Sequence, residues 1–155
     1  VHNGVIENFA TLKKFLKSKE IEFASQTDSE VLCNLIAYHY SELEEGEGRF
    51  IEAVRLSLAK CRGAYGIAIL CIDYPNTMIG ARRGSPLVVG LGEDANFIAS
   101  DASAFVGRAK EAVFLNDGEL AILKGNDFRI TTLGGQDAQA VAHPLDQILE
   151  EVELG

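Results

Sequence analysis

The chain has 155 residues, of which 47% are hydrophobic and 24% charged, a length and balance typical of one globular domain. Its formal net charge of −9 argues against nucleic-acid and anionic-membrane partners, because both need clustered cations. Residues 64–72 form the longest apolar stretch, well short of the roughly 20 residues that span a bilayer. The three cysteines form no CxxC pair, which favours a reducing, cytoplasmic compartment.

The first half of the chain is predicted to be mostly helical. No element is assigned to residues 1–7, which lead directly into the first helix. Asn8 and Thr27 are candidate helix caps, and Glu30 is placed to complete a capping box with Thr27. Gly63 is predicted to cap the C-terminal end of the third helix. The predicted elements are a helix with apolar positions at Phe9, Leu12, Phe15 and Leu16, a strand at residues 21–24, a helix with Val31, Leu32, Leu35, Ile36 and His39 on one side, and a helix at residues 49–62 with Phe50, Val54, Leu58 and Cys61 on one face.

The second half changes to strand patterns. Residues 64–73 form a near-continuous apolar run, typical of a strand buried on both faces. Turn sequences such as Asn116-Asp117-Gly118 separate the later apolar segments, which indicates antiparallel hairpins. Strands are predicted at residues 77–82, 87–91, 97–100, 112–115, 119–124 and 128–132, with a helical turn at 101–105 and a short helix at 145–149. Helices followed by strands indicate an α+β fold.

Two short features have both a structural and a chemical interpretation. The Asn3-Gly4 pair is typical of a tight turn. It also fits an oxyanion hole, in which a side-chain amide and an unhindered backbone N–H donate to one developing negative oxygen. Asp28, in a first helical turn, either complements the helix dipole or holds a substrate ammonium group. For Asp28 the pattern alone favours the structural role.

The other polar candidates are interpreted as structural. The histidines are far apart and lack metal-ligand spacing. The cysteines fall in predicted helices and a strand, where a free cysteine behaves as a small hydrophobic residue. Residues 82–86, Arg-Arg-Gly-Ser-Pro, lack the pattern of a phosphate-binding loop and are interpreted as a strand end and a turn. The residues in question are His2, His39, His143, Cys33, Cys61 and Cys71.

Seven segments between residue 2 and about residue 124 stand in a specific order and spacing. They are residues 2–8 (HNGVIEN), 23–25 (FAS), 27–31 (TDSEV), 62–66 (RGAYG), 81–87 (ARRGSPL), 90–92 (GLG) and 96–101 (NFIASD). Together they resemble the class II glutaminase domain of the glucosamine-6-phosphate synthases, also called glutamine–fructose-6-phosphate aminotransferases (isomerising). No single segment carries the resemblance alone.

The resemblance implies an N-terminal-nucleophile fold, a four-layer αββα sandwich, incomplete at the N-terminus. Residues 1–136 would be part of the glutamine amidotransferase domain, and residues 137–155 a short helix and linker toward a sugar isomerase domain that the chain lacks. In that family an N-terminal cysteine attacks the side-chain amide of glutamine. The released ammonia converts fructose 6-phosphate to glucosamine 6-phosphate. The resemblance implies no cofactor and no metal.

By position, Asn3 and Gly4 match the oxyanion hole of the family, and Asp28 matches the carboxylate that holds the α-ammonium group of glutamine. The nucleophilic cysteine has no counterpart in this chain, which begins with Val1, so we expect a part of a longer protein that is inactive alone. The implied partners are glutamine, the N-terminal segment and the isomerase domain of the same protein. Residues 65–72 would become a sheet edge without that segment, which predicts either a homo-oligomer or a chain that stays associated with the N-terminal piece.

Two other functions stay open. The chain could belong to another class II amidotransferase, such as an amidophosphoribosyltransferase, although His2 and residues 6–8 and 84–87 favour the synthase. It could also be a non-catalytic scaffold that has the fold and lacks the nucleophile. A Cys-Gly-Ile start upstream of Val1 would distinguish an enzyme from a scaffold.

Overall fold

The computed structural model describes residues 1–154, with the side chains of residues 1–151. Gly155, the end of the predicted linker segment, lies outside the described residues. The helices are α1 (Phe9–Ser18), α2 (Asp28–Glu42), α3 (Arg49–Lys60) and α4 (Leu145–Leu154), with a 3₁₀ helix at Ala102–Phe105. The strands are β1 (His2–Ile6), β2 (Gly63–Leu70), β3 (Thr77–Arg83), β4 (Val88–Leu91), β5 (Asn96–Ala99), β6 (Glu111–Phe114), β7 (Glu119–Lys124), β8 (Asp127–Thr132) and β9 (Ala142–Pro144). Residues 1–154 contain no helix with the length and apolar character needed to cross a membrane.

The strands form two antiparallel sheets. Sheet A has the order β1-β2-β3-β7-β8, and sheet B has the order β5-β4-β6-β9. Successive side chains of a strand point to opposite faces of its sheet. In β7, Leu120 and Ile122 therefore pack beneath the helices, whereas Ala121 and Leu123 pack between the two sheets.

Three hydrophobic cores separate four layers. Helices α1 to α3 cover one face of sheet A, and the other face of sheet A packs on sheet B through residues such as Val89 and Val113. Val88 and Ala112 directly precede these two residues in the chain, so they point to the outer face of sheet B. The 3₁₀ helix and Leu145 of α4 cover them there. A helical layer on each side of two packed sheets is the αββα sandwich that the family resemblance implies, and it agrees with the α+β class that the sequence pattern predicts.

Helix α2 follows its predicted pattern. The Thr27 hydroxyl caps the helix by accepting a hydrogen bond from the Glu30 N–H at 3.2 Å. The predicted inner face is buried at Val31, Leu32, Leu35, Ile36 and His39. Burial lowers the pKa of the His39 imidazole from its ordinary 6.5, so the ring packs in the helix-side core as a neutral group.

The Glu30 side chain binds the backbone of the segment that precedes α2, a contact that the sequence prediction missed. Residues 21–24 form no strand. The Ile21 N–H donates to the Leu16 carbonyl at 3.2 Å, and the Glu30 carboxylate accepts the main-chain N–H groups of Ala24 and Ser25 at 2.7 and 2.6 Å. These donors are therefore satisfied without a neighbouring strand. The hydrogen bond from the Ser25 hydroxyl and then the two main-chain hydrogen bonds hold the pKa of the Glu30 carboxyl below its usual range.

Two further predictions near the helix ends are corrected. Gly63 does not cap α3 but begins β2, with φ +105° and Ile6 of β1 as its partner. A Cβ on Gly63 would overlap the carbonyl oxygen of Val5, so the close approach of β1 and β2 requires glycine there. Asn8 does not cap α1 through its side chain; it binds the end of α3, accepting from the Arg62 N–H and donating to the Lys60 carbonyl, both at 2.8 Å.

Candidate functional site

Strand β1 is an edge strand of sheet A, and the sequence predicts no element in its place. β2 lies between β1 and β3, so the expectation that residues 65–72 form an edge is wrong along the segment that β1 covers. Residues 2–6 are weak strand formers locally, and their hydrogen-bond partners lie about sixty positions further along the chain. The strand therefore depends on a long-range pairing that no local pattern reveals.

The hydrogen-bonding pattern of β1 leaves three N–H groups on the open side of the strand. Val1 exchanges both main-chain hydrogen bonds with Ala68 at 3.0 Å, and Glu7 donates to the Arg62 carbonyl at 2.9 Å. Such pairs alternate with non-bonded pairs in an antiparallel ladder. The backbone N–H and C=O groups of the odd-numbered residues of β1 therefore point toward β2. The N–H groups on the open side are those of His2, Gly4 and Ile6.

The first turn of α2 meets this open edge. The Asp28 Oδ2 atom accepts the Ile6 N–H at 2.8 Å, and His2 Nδ1 lies 2.9 Å from the Ser29 hydroxyl. The Asp28 carboxylate thus stands where a further strand would pair, whereas the Ser29 hydroxyl contacts the side chain of His2 rather than its backbone. The Asp28 side chain is half-buried in this position, and the N-terminus of α2 favours its negative charge.

Asn3 and Gly4 lie inside β1 and are both exposed. The tight-turn interpretation of this pair is therefore wrong. Gly4 has φ +102°, and a Cβ there would overlap the carbonyl oxygen of Ala64 on β2. Glycine is thus required by both the backbone conformation and the contact with β2.

The contact at Gly4 predicts a loss of stability in the Gly4→Ala variant. The left-handed φ and the overlap with Ala64 are each unfavourable, so the free energy of unfolding should fall by on the order of 2 kcal/mol or more. Gly118→Ala is the matched control, because Gly118 has φ +80° but open space around its Cβ position. Urea unfolding measures the loss of stability in both variants. The loss in Gly118→Ala reports the unfavourable φ alone, and the additional loss in Gly4→Ala reports the overlap with Ala64. Equal losses would show that the Ala64 contact has no energetic consequence.

The positions of the histidines and cysteines favour structural roles for most of them. Burial lowers the pKa of His2, against the opposing effect of the Asp28 charge. Cys61 is buried at the end of α3, and burial raises its thiol pKa to about 11, which disfavours the reactive thiolate. Cys33 is exposed and Cys71 is half-buried, and both line a cavity of about 600 Å³ between α2 and β2. Within residues 1–154, no group of three His, Cys, Asp or Glu side chains is arranged to hold a metal ion.

The architecture, with two antiparallel sheets between helical layers, is that of the N-terminal-nucleophile amidotransferases. A solved structure of glutamine phosphoribosylpyrophosphate amidotransferase from B. subtilis, complexed with ADP and GMP, superposes with a TM-score of 0.68 and 28% identity. The match covers 86% of this chain and 28% of that one. A structure described as the allosteric regulatory enzyme of purine biosynthesis also superposes with a TM-score of 0.68 and 28% identity, over 85% of this chain and 27% of that one.

The family model described as a glutamine amidotransferase domain matches residues 1–107, and the chain belongs to this family. Glutamine–fructose-6-phosphate aminotransferase (isomerizing) of Bordetella pertussis is 39% identical over the whole chain, which covers 24% of that relative. The enzyme of the same name from Aquifex aeolicus is 42% identical over 136 residues, covering 88% of this chain and 22% of the relative. The chain thus spans about a quarter of the length of the curated relatives that it matches.

Proposed function

We propose that the chain is the part of a glutamine–fructose-6-phosphate aminotransferase that helps to hydrolyse glutamine, supplying ammonia for the conversion of fructose 6-phosphate to glucosamine 6-phosphate. The observation that carries the proposal is the 39% identity to an aminotransferase of that name along all 155 residues. The 28% identity to the phosphoribosylpyrophosphate amidotransferase makes that enzyme class the less favoured alternative.

In this proposal the open edge of β1 binds glutamine. The Gly4 N–H points away from β2, and the Asn3 amide is exposed beside it, so the two groups form an oxyanion hole for the tetrahedral intermediate. The Asp28 carboxylate uses Oδ2 to accept the Ile6 N–H, which fixes its position. Its second oxygen then accepts a hydrogen bond from the α-ammonium group of glutamine.

The remaining parts of the reaction come from outside the chain. Val1 has an α-amino group but neither a thiol nor a hydroxyl, so it cannot replace a nucleophilic cysteine. We propose that the nucleophile belongs to the same protein upstream of Val1, and that residues 137–155 lead to a sugar isomerase domain. We further propose that the protein is cytoplasmic and that it forms a homo-oligomer.

The test compares the isolated chain with the full-length protein. The full-length protein is expected to release glutamate from glutamine and to form glucosamine 6-phosphate from fructose 6-phosphate. The isolated chain is expected to do neither. Phosphoribosylpyrophosphate replaces fructose 6-phosphate as the acceptor in a parallel assay, which would identify the alternative class.

Three outcomes would contradict the proposal. A full-length protein that does not hydrolyse glutamine would favour a scaffold, and amination of phosphoribosylpyrophosphate would favour the other class of amidotransferase. Glutamine hydrolysis by the isolated chain that is lost in Cys33→Ala or Cys71→Ala would identify an internal nucleophile.

A further inference from the structure

The loop of residues 84–86 lies directly beneath β1 and β2, on the face opposite the helices. A Cβ on Gly66 of β2 would lie 3.1 Å from the Pro86 carbonyl oxygen and 3.3 Å from that of Ser85. Gly84 also forms an isolated parallel bridge with Tyr65. The absence of a side chain at Gly66 thus allows the loop to approach the sheet closely.

This packing places the Ser85 hydroxyl beside the candidate oxyanion hole. Its Oγ atom lies 3.0 Å from the Cβ position of Gly4, which is one carbon–carbon bond from the Gly4 backbone. Asn3 pairs with Gly66, and paired residues point to the same face of a sheet, so the Asn3 side chain leaves β1 on the side of the loop. In the part of the chain that the structure describes, neither the Ser85 hydroxyl nor the Asn3 amide has a hydrogen-bond partner.

Asp117 also holds the loop in place. Its Oδ1 atom accepts the Gly84 N–H at 2.8 Å and lies 3.5 Å from Arg82 Nε. Arg82 in turn donates to the Leu115 carbonyl. Because Gly84 directly precedes Ser85, the hydrogen bond from Gly84 to Asp117 fixes the backbone that carries the Ser85 hydroxyl.

We propose that Ser85 is a positioning residue for Asn3 and Gly4, and that Asp117 positions Ser85. In this proposal the Ser85 hydroxyl turns to donate a hydrogen bond to the Asn3 amide oxygen when the ligand binds, which leaves the amide N–H groups free to donate to the ligand. The inference rests on the proposed glutaminase function, in which the two donors must be aimed accurately at the oxyanion. A neutral hydrogen bond of this kind predicts an effect of about tenfold.

The test uses the full-length protein. Ser85→Ala should lower kcat for glutamine hydrolysis about tenfold and leave KM within about twofold, because the oxyanion forms only in the transition state. The affinity for glutamate γ-semialdehyde should fall by a similar factor, since its covalent adduct with a thiol carries the same oxyanion. The affinity for the product glutamate should not change.

Matched variants separate positioning from folding. Ser85→Thr keeps the hydroxyl and should stay within about threefold of the parent, as should Ser103→Ala, an exposed serine on the 3₁₀ helix. Asp117→Asn keeps the acceptor for the Gly84 N–H and should be mild, whereas Asp117→Ala should reproduce the loss of Ser85→Ala. This second pair decides the question if Ser85→Ala does not fold.

Two results would overturn this inference and leave the proposed function standing. In the first, the parent hydrolyses glutamine and its Ser85→Ala variant keeps the same kcat. In the second, the Ser85→Thr variant is as impaired as Ser85→Ala. In the absence of a folded Ser85→Ala variant, equal rates for the two Asp117 variants would overturn it. A parent protein that does not hydrolyse glutamine would contradict the proposed function and this inference with it.

Discussion

Replacing Asn3 by alanine in the full-length protein is expected to lower kcat for glutamine hydrolysis by roughly 10² to 10³, the usual loss for one oxyanion donor. The Asn3 amide is exposed on the edge strand, next to an N–H of Gly4 that points away from β2. The negative oxygen develops only after attack on the amide, so the missing donor destabilises the transition state more than the bound substrate. KM should therefore change much less than kcat.

Steady-state glutamate release, with unfolding measured on the same sample, tests this expectation. Asn76→Ala is the matched control, because Asn76 is an exposed asparagine in the turn between β2 and β3. It should leave both constants unchanged. If Asn3→Ala keeps kcat within a few-fold of the parent, the side chain has no part in the reaction.

Asp28→Asn is expected to raise KM for glutamine by roughly 10- to 100-fold, the range for losing a hydrogen bond between charged groups. The α-ammonium group is remote from the scissile amide, so its binding energy is lost equally in the substrate complex and the transition state. The kcat should therefore change little. Asparagine still offers an oxygen to the Ile6 N–H, which preserves the contact between α2 and β1.

The control for this variant is Asp101→Asn. Asp101 is another carboxylate at the start of a helical element, exposed where Asp28 is half-buried, and its Oδ1 atom accepts the Ser103 N–H at 3.0 Å. That control should leave KM unchanged. A fall in the free energy of unfolding of Asp28→Asn without a change in KM would return Asp28 to a helix-dipole role.

The sequence predicts those elements that depend on local pattern. Helix α2 and the β7–β8 hairpin form where capping residues, apolar periodicity and the Gly125-Asn126-Asp127 turn indicate them. The Asn116-Asp117-Gly118 turn forms no hairpin, because it leads from β6 of sheet B to β7 of sheet A. The strand predicted at residues 21–24 does not form, because the Ile21 N–H donates to the Leu16 carbonyl and the Ala24 N–H to the Glu30 side chain. Apolar alternation does not reveal these contacts. β9 was also missed, because its three residues are exposed and pair with β6 from about thirty positions away.

The candidate site shows the same division. The residue types of Asn3, Gly4 and Asp28 suggest their chemistry, and the resemblance selects that interpretation. Their juxtaposition could not be predicted from pattern, because it depends on the hydrogen bond between Ile6 and Asp28, 22 positions apart. The position of Ser85 depends on the close approach of its loop to Gly66. In the sequence, Gly66 looks like any other glycine in a strand.

The two-sided packing of β7 limits how the length of this domain can vary. Leu120 and Ile122 belong to the helix-side core, and the alternate residues Ala121 and Leu123 belong to the core between the sheets. Inserting one residue within β7 would exchange the two sets for the rest of the strand and put the wrong volumes in both cores. A change of length in the turn at residues 116–118 would instead displace Asp117 from the Gly84 N–H. Natural insertions and deletions should therefore avoid β7 and this turn, and collect in exposed segments such as residues 44–48, between α2 and α3.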